Sequence, residues 1–338
     1  MKILYAGMMY DYGIRERGFS FEHYNFYDTL VNMGHEVEYF DFMSLYQVHG
    51  SKVMTEMLRT KVDQVKPELL FTFLFTNEFD AEILSKITSE TSTITFNWFA
   101  DDHWRFDSFS RHWAGCFRFI STTDRKAVEK YRSIGYSNAL LSQWGVNHFR
   151  YRRQELPLNV EVSFIGQAHG KRGDVVRSLI DHGIPLTVKG GNWDIRRYHI
   201  YLRKLRLISE SYFQSIANRT RITQEEMIAL FSQSRVNLNL TASSDTSFPN
   251  QIKGRNFEIP GCGGFQLSEY AEHLDEYFTP EKEIVCFRSE GEMLDKIRYY
   301  LAHENERIAI AEAGYQRTLR DHTYEKRFNE LFRQMGLV

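Results

Sequence analysis

The strongest constraint on how this chain can fold is an alternation of short apolar runs with longer amphipathic stretches, which occurs in two successive series. The first series reads as a strand over 3–6, a helix over 21–33, a strand over 37–40 and another helix, followed by apolar runs at 69–75, 93–98, 117–121 and 139–142. Runs of that length suit strands, and stretches between them that are long enough to cross over make successive strands parallel. A polar, arginine-rich passage over 148–155 then leads to Leu156 and Pro157. Beyond it the alternation restarts with a strand over 162–166, a helix over 172–182, a strand over 186–189, a helix over 224–232 and a strand over 236–240. The end is helical, over 290–303, 306–319 and 324–335. The expected fold class is therefore α/β with two Rossmann-like domains, one over 1–155 and one beginning at 156. A length of 338 residues gives each half enough chain to bury its own core.

Composition removes several functional classes. The formal net charge is −2 with both signs interleaved, so the electrostatics do not announce a nucleic-acid or anionic-membrane protein. Arg150, Arg152 and Arg153 form too small a cluster to establish a basic stripe of the kind nucleic acid needs. The three cysteines, Cys116, Cys262 and Cys286, have no metal-ligand spacing and are odd in number. They read as reduced core or turn residues, which favours the cytosol. The apolar start at 1–7 is too short for a signal peptide, and no apolar run approaches the roughly 20 residues needed to cross a bilayer. Any membrane contact would be peripheral.

The segment 253–265 is the most informative about chemistry. A diphosphate needs fixed positive charge, which Lys253 and Arg255 supply, and a ribose diol is well held by a carboxylate that accepts two hydrogen bonds, a role open to Glu258. Arg255 and Glu258 could also pair on one helix face, which need not exclude ligand binding, since a carboxylate can brace an arginine that faces phosphate. Gly261, Gly263 and Gly264 permit close approach of backbone to a ligand. Pro260 should end or kink the helix near Ile259.

In open parallel sheets ligands gather beyond the carboxyl ends of strands, so residues just after predicted strands deserve scrutiny. Gly166, Gln167, Lys171 and Arg172 lie between a strand and a helix, where backbone donors and a helix N-terminus suit phosphate; two basic residues there also suit plain solvated surface. Gly190 starts a turn that either admits a nucleobase or only joins strand to helix. Asp101, Asp102 and His103 follow the apolar run at 93–98, flanked by Trp98 and Trp104, and any of the three could take a hydroxyl proton. An aspartate helix cap with a structural histidine explains the same residues equally well. Glu78 is the second choice of base. Consecutive side chains diverge, so no metal site is expected at 101–103. The loop over 7–18, with Tyr10, Asp11, Arg15 and Arg17, lacks the compact glycine spacing of a dinucleotide-binding turn, which argues against a simple dehydrogenase.

With Arg255, Phe257 and Glu258 leading into a glycine turn and a hydrophobic run, the segment resembles the donor-binding region of GT-B glycosyltransferases, specifically the CgeB-like (spore maturation protein) group. The resemblance continues through Gly145, Val146, Asn147, Phe149 and Gly166, and through a tail over 299–332 that carries His322, Thr323, Tyr324 and Arg327. It covers most of the C-terminal half, and the N-terminal third in outline. Many relatives in the wider retaining group have a carboxylate eight positions before this one, where the chain has Asn250, a further donor-site candidate. The resemblance implies two Rossmann-like domains facing a central cleft, a donor domain over 156–320, and a helix over 321–338 packing back on the N-terminal acceptor domain. It also implies that protein cations, without a metal cofactor, stabilise the leaving diphosphate.

The activity so implied is transfer of a sugar from a nucleoside diphosphate to a hydroxyl acceptor, whether a glycan, a small molecule or a protein-linked group. A sugar-nucleotide epimerase of the same fold, and a non-catalytic nucleotide-sugar or coat-associated binding protein, remain alternatives. Fold resemblance does not choose among them.

Overall fold

The computed structural model describes residues 1–242 and 250–338. They form two compact units, one made of Met1–Arg150 with Thr323–Val338 and the other of Tyr151–His322.

In the first unit six strands, β1 (Lys2–Gly7), β2 (Glu36–Asp41), β3 (Leu69–Thr72), β4 (Ile94–Phe99), β5 (Phe119–Thr122) and β6 (Ala139–Leu141), pair in the order β2-β1-β3-β4-β5-β6. Every pairing is parallel. The side-chain period of two divides β1 between two cores: Leu4 and Ala6 join one cluster, Ile3 and Tyr5 the other. Both faces of the sheet are therefore covered, which explains why the strands read as unbroken apolar runs.

The second of these clusters is completed by the helix Tyr324–Gln334. Tyr324, Phe328, Leu331 and Phe332 repeat at helical spacing and are all buried. Phe328 meets Phe26, Phe71 and Trp98 at ring-centroid distances of 5.7, 5.5 and 6.4 Å. Thr323 caps the helix by accepting from the Lys326 amide, and the Tyr324 amide donates to the Val146 carbonyl at 3.0 Å.

The second unit has five described strands, β7 (Val160–Ile165), β8 (Leu186–Lys189), β9 (Ser234–Asn239), β10 (Gln266–Glu269) and β11 (Val285–Phe287), in the order β11-β10-β9-β7-β8, again all parallel. Val162, Val236, Leu238 and Leu267 lie in its core. Asn237 ties the sheet together, accepting from the Ser163 hydroxyl at 2.9 Å and donating to the carbonyls of Phe231 and Phe265 at 3.1 and 3.2 Å. Gly264 lacks a side chain because a Cβ there would lie 2.8 Å from the Asn237 amide nitrogen and 2.9 Å from the Phe231 carbonyl.

Chain order reverses between β1 and β3 in the first sheet, and between β7 and β9 in the second. Connections leaving two adjacent strands in opposite directions open a crevice at their carboxyl ends, so each unit has one such position by construction.

Two local expectations need adjustment. The helix carrying Pro260 runs over Arg255–Gly261, past the expected stop near Ile259. The ring sits in the last turn of a seven-residue helix, where few hydrogen bonds remain to be broken. The helix expected over 21–33 forms, but its middle, His23–Tyr27, is π-helical before Asp28–Asn32 continues as α-helix. Residues 243–249, between the strand expected over 236–240 and the segment 253–265, lie outside the described residues.

Phe328 has no exposed surface and packs against the rings of Phe26, Phe71 and Trp98. Phe328→Ala should cost about 3–5 kcal/mol in denaturant unfolding, whereas the same change at exposed Tyr299 should cost under about 1 kcal/mol.

Candidate functional site

In the second unit the crevice position brings together Arg172, Arg255, Lys253 and His169. Arg172 opens the helix Arg172–Asp181 directly after the β7 loop. One terminal nitrogen donates to the Gln167 carbonyl at 3.2 Å and the other to the Leu240 carbonyl at 3.1 Å, so the side chain bridges the ends of β7 and β9. Burial, and then the neighbouring Arg255, lower its pKa to about 10, with Glu269 acting in the opposite sense. Arg255 is likewise lowered, chiefly by burial. His169 is brought down to about 4 by burial, then by Arg172 and Lys253, so it is neutral at pH 7. The Arg172 Nε, Arg255 Nε and His169 Nδ1 are all buried and none has a hydrogen-bond partner.

The surrounding backbone is tightly fixed. Gly190 adopts φ +125°, and a Cβ on it would collide with the Gly166 carbonyl; the Trp193 indole donates to that carbonyl at 2.8 Å. Only glycine fits position 190, so its part is to let two turns touch. The Glu269 carboxylate accepts from the amides of Thr241 and Ala242 at 2.9 and 3.0 Å, and Asn250 donates to the Tyr270 carbonyl at 3.1 Å. Lys171 is exposed at the N-cap position of its helix.

Two donor-site candidates sit elsewhere than their sequence positions suggested. Glu258 has no exposed surface: one oxygen accepts from the Tyr151 hydroxyl at 2.8 Å and the other pairs with Arg255, which is 29% exposed. With both oxygens engaged inside the protein, it braces Arg255 and offers no open face to a diol. Gly263, with φ +73°, lies beyond the end of the helix Arg255–Gly261 and against Arg153. Seven helical residues advance about 10 Å, which takes the glycine turn to the amino end of β10, away from Arg255.

In the first unit a cavity of about 250 Å³ opens at the carboxyl ends of β1, β3 and β4. It is lined by three carboxylates, Asp11, Glu22 and Asp101, by one guanidinium, Arg105, and otherwise largely by aromatic rings. Asp101 was a candidate base and does line the cavity. Its carbonyl accepts from the amides of Trp104 and Arg105, and its charge lies in the field of Arg105.

The other three candidates do not line the cavity. Asp102 is fully buried and accepts from the Tyr131 hydroxyl at 2.9 Å; burial pushes its carboxyl up. Glu78 folds onto its own turn, taking the Thr76 amide at 2.9 and 2.7 Å and the Thr76 hydroxyl, and is 2% exposed. His103 projects elsewhere, beside Trp104. Trp98 is also a core residue, and the indole that reaches the cavity is Trp144.

Glu22 is the functional candidate that sequence reading missed. Burial, and to a smaller extent Asp11, pushes its carboxyl up to about 7, against hydrogen bonds from its own backbone and Ser20. A glutamate two positions after a serine at a helix start looks like ordinary capping in sequence, and only the crevice gives it significance. Arg150 and Arg153 are engaged with Asp28 and Glu312, each at 2.7 Å. Among the described residues no helix is long and apolar enough to cross a membrane, and no group of three His, Cys, Asp or Glu side chains could hold a metal ion.

A family model described as "Glycosyl transferase-like" matches residues 172–333. The spore protein CgeB of Bacillus subtilis (strain 168) is 22% identical over 222 residues, which are 61% of this chain and 64% of that protein. The match thus spans less than two thirds of the relative's length. Sucrose-phosphate synthase from Thermosynechococcus elongatus superposes with a TM-score of 0.65 at 12% identity, covering 99% of each chain. HepE of Anabaena, solved in complex with UDP and glucose, superposes with a TM-score of 0.64 at 12% identity, covering 100% of each chain. At these identities the structural likeness establishes the fold, which is GT-B.

The raised Glu22 carboxyl makes a stability prediction. Because its folded pKa, about 7, exceeds the ordinary carboxyl value of 4.5, the native state holds a proton that the unfolded state releases. Stability is therefore lost as pH rises from 4.5 through 7. Glu22→Gln should be more stable than the native chain by about 1–3 kcal/mol at pH 8, and the difference should vanish near pH 4 in parallel urea titrations.

Proposed function

We propose, from a CgeB-like sequence on a GT-B fold, that this protein transfers a sugar from a nucleoside diphosphate to a hydroxyl acceptor, with the donor bound by the second unit and the acceptor by the first. The observation that carries this reading is the set of unbonded, buried nitrogens on Arg172, Arg255 and His169 at the β7/β9 crevice. Two partly buried guanidiniums lie close together with the Glu258 carboxylate paired to Arg255, and a diphosphate supplies acceptors for the nitrogens still without partners together with further negative charge. HepE, a fold neighbour, has been solved with UDP-glucose, in keeping with a nucleotide-sugar donor here.

In this reading Arg172 and Arg255 grip the diphosphate, with Lys253 adding charge and neutral His169 adding one hydrogen bond. The Gly166 turn brings backbone close to the phosphates, and Glu258 with Tyr151 holds Arg255 in position. As the anomeric bond breaks, negative charge grows on the leaving diphosphate, and these preplaced groups stabilise it more in the transition state than in the ground state. The cations perform the task that a divalent ion performs elsewhere, so turnover should not require a metal.

A thermal-shift screen of the purified chain against UDP, GDP, dTDP, CDP and ADP and their common sugars tests the reading. One base should raise the melting temperature, with stabilisation of about 2.7 kcal/mol at a hundredfold excess over Kd. Arg172→Ala and Arg255→Ala should each weaken that nucleotide by at least about tenfold. Nucleotide affinity unchanged in both folded variants would sink the proposed donor site. In transfer assays with the stabilising donor, excess EDTA should leave the rate within about twofold; loss of the rate restored by a divalent ion would overturn the metal-free arrangement.

A further inference from the structure

We propose that the cavity of the first unit takes one uncharged or amine-bearing sugar ring as acceptor, and that Glu22 is the group that accepts the proton of its reacting hydroxyl. The inference rests on the glycosyl-transfer reading and specifies what that reading leaves open.

Size, walls and charge point the same way. A cavity of about 250 Å³ has room for a single ring, not an extended glycan. Its walls include two edge-on aromatic pairs, Tyr12 with Phe75 and Phe21 with Trp144, each with centroids 5.4 Å apart. Such rings offer flat apolar faces to the C–H side of a pyranose. Asp11, Glu22 and Asp101 are hydrogen-bond acceptors suited to sugar hydroxyls or an ammonium group. Arg105, the one cation on the lining, donates to the Phe75 carbonyl at 2.8 Å and lies 4.0 Å over the Phe109 ring. A carboxylate or phosphate on the acceptor would meet three like charges and a cation already engaged.

The three carboxylates are not equivalent. Asp101 lies in the field of Arg105, while the charged neighbour that acts on Glu22 is Asp11. The other ionisable groups facing Glu22 are Tyr5, Tyr39 and Tyr324, all pushed upward mainly by burial and so neutral near pH 7. The carboxyl of Glu22, held near 7, is matched to proton transfer at neutral pH. In the step, the acceptor O–H proton passes to the Glu22 carboxylate and the oxygen's electron pair forms the bond to the anomeric carbon. The bond from that carbon to the diphosphate oxygen breaks, and its electrons leave with the diphosphate.

Two measurements on the full chain test this. First, methyl glucoside, glucosamine and glucuronate are titrated at pH 8 by tryptophan fluorescence, with Trp144→Phe as the control that removes the reporter. The first two should bind and glucuronate should bind at least about tenfold more weakly; equal binding of glucuronate, or no binding of any, would overturn the acceptor assignment. Second, transfer from the stabilising nucleotide sugar is followed against pH. The native rate should rise through about pH 7, and Glu22→Gln should lower it at least about a hundredfold and abolish that limb while leaving nucleotide stabilisation intact. Asp11→Asn, which removes the like charge, should move the limb to lower pH. A Glu22→Gln rate within about threefold of native, with the limb unmoved in both variants, would contradict the role of Glu22. Absence of any nucleotide stabilisation in the native chain would count against the donor reading alone, and the saccharide titration would then decide the cavity by itself.

Discussion

All pairings in both sheets are parallel, and most of what can be said about function depends on that. A parallel strand cannot turn back on its neighbour, so each connection must cross a face of the sheet, and every loop that follows a strand arrives at the same edge. In each unit one adjacent pair sends its connections in opposite directions, β1 and β3 in the first and β7 and β9 in the second. The polar groups of consequence collect at these two places: Arg172 between the ends of β7 and β9, and Glu22, Asp11 and Asp101 around the ends of β1, β3 and β4.

The two places carry opposite charge, and in each the charges repel one another. Arg255 adds to the burial that lowers the proton affinity of Arg172, and Asp11 adds to the burial that raises Glu22. Folding alone does not favour such arrangements, since burial of like charges costs stability unless something compensates. A diphosphate at the β7/β9 crevice and a polyhydroxylated ring at the ends of β1, β3 and β4 would each supply what the local field lacks. The difference in sign also gives selectivity, because an anionic molecule suited to one site is repelled by the other.

Much of this was legible in sequence. Hydrophobic period and run length give parallel α/β sheets, and a basic residue following a strand, such as Arg172, can be singled out from position alone as a candidate for the carboxyl-end crevice. What sequence could not supply was direction and distance. The compact reading of 253–265 treats Arg255 and Gly263 as one site, but the seven-residue helix between them carries the glycine to the other edge of the sheet. Asp102 and Glu78 have the right chemistry in the right loops, yet Tyr131 and Thr76 engage them locally. Trp98 and Trp144 are equivalent as letters, and the sheet buries one while the other reaches the cavity. Glu22 gains its meaning from burial beside Asp11, a property with no short-range sequence signal.

The central claim is that the unbonded nitrogens at the β7/β9 crevice await a diphosphate. The most direct measurement is a crystal structure of the chain with whichever nucleoside diphosphate stabilises it. The account predicts diphosphate oxygens within about 3 Å of the guanidiniums of Arg172 and Arg255, with Glu258 still bracing Arg255 from behind. A nucleotide bound elsewhere, with those two side chains and His169 still without a ligand, would contradict it.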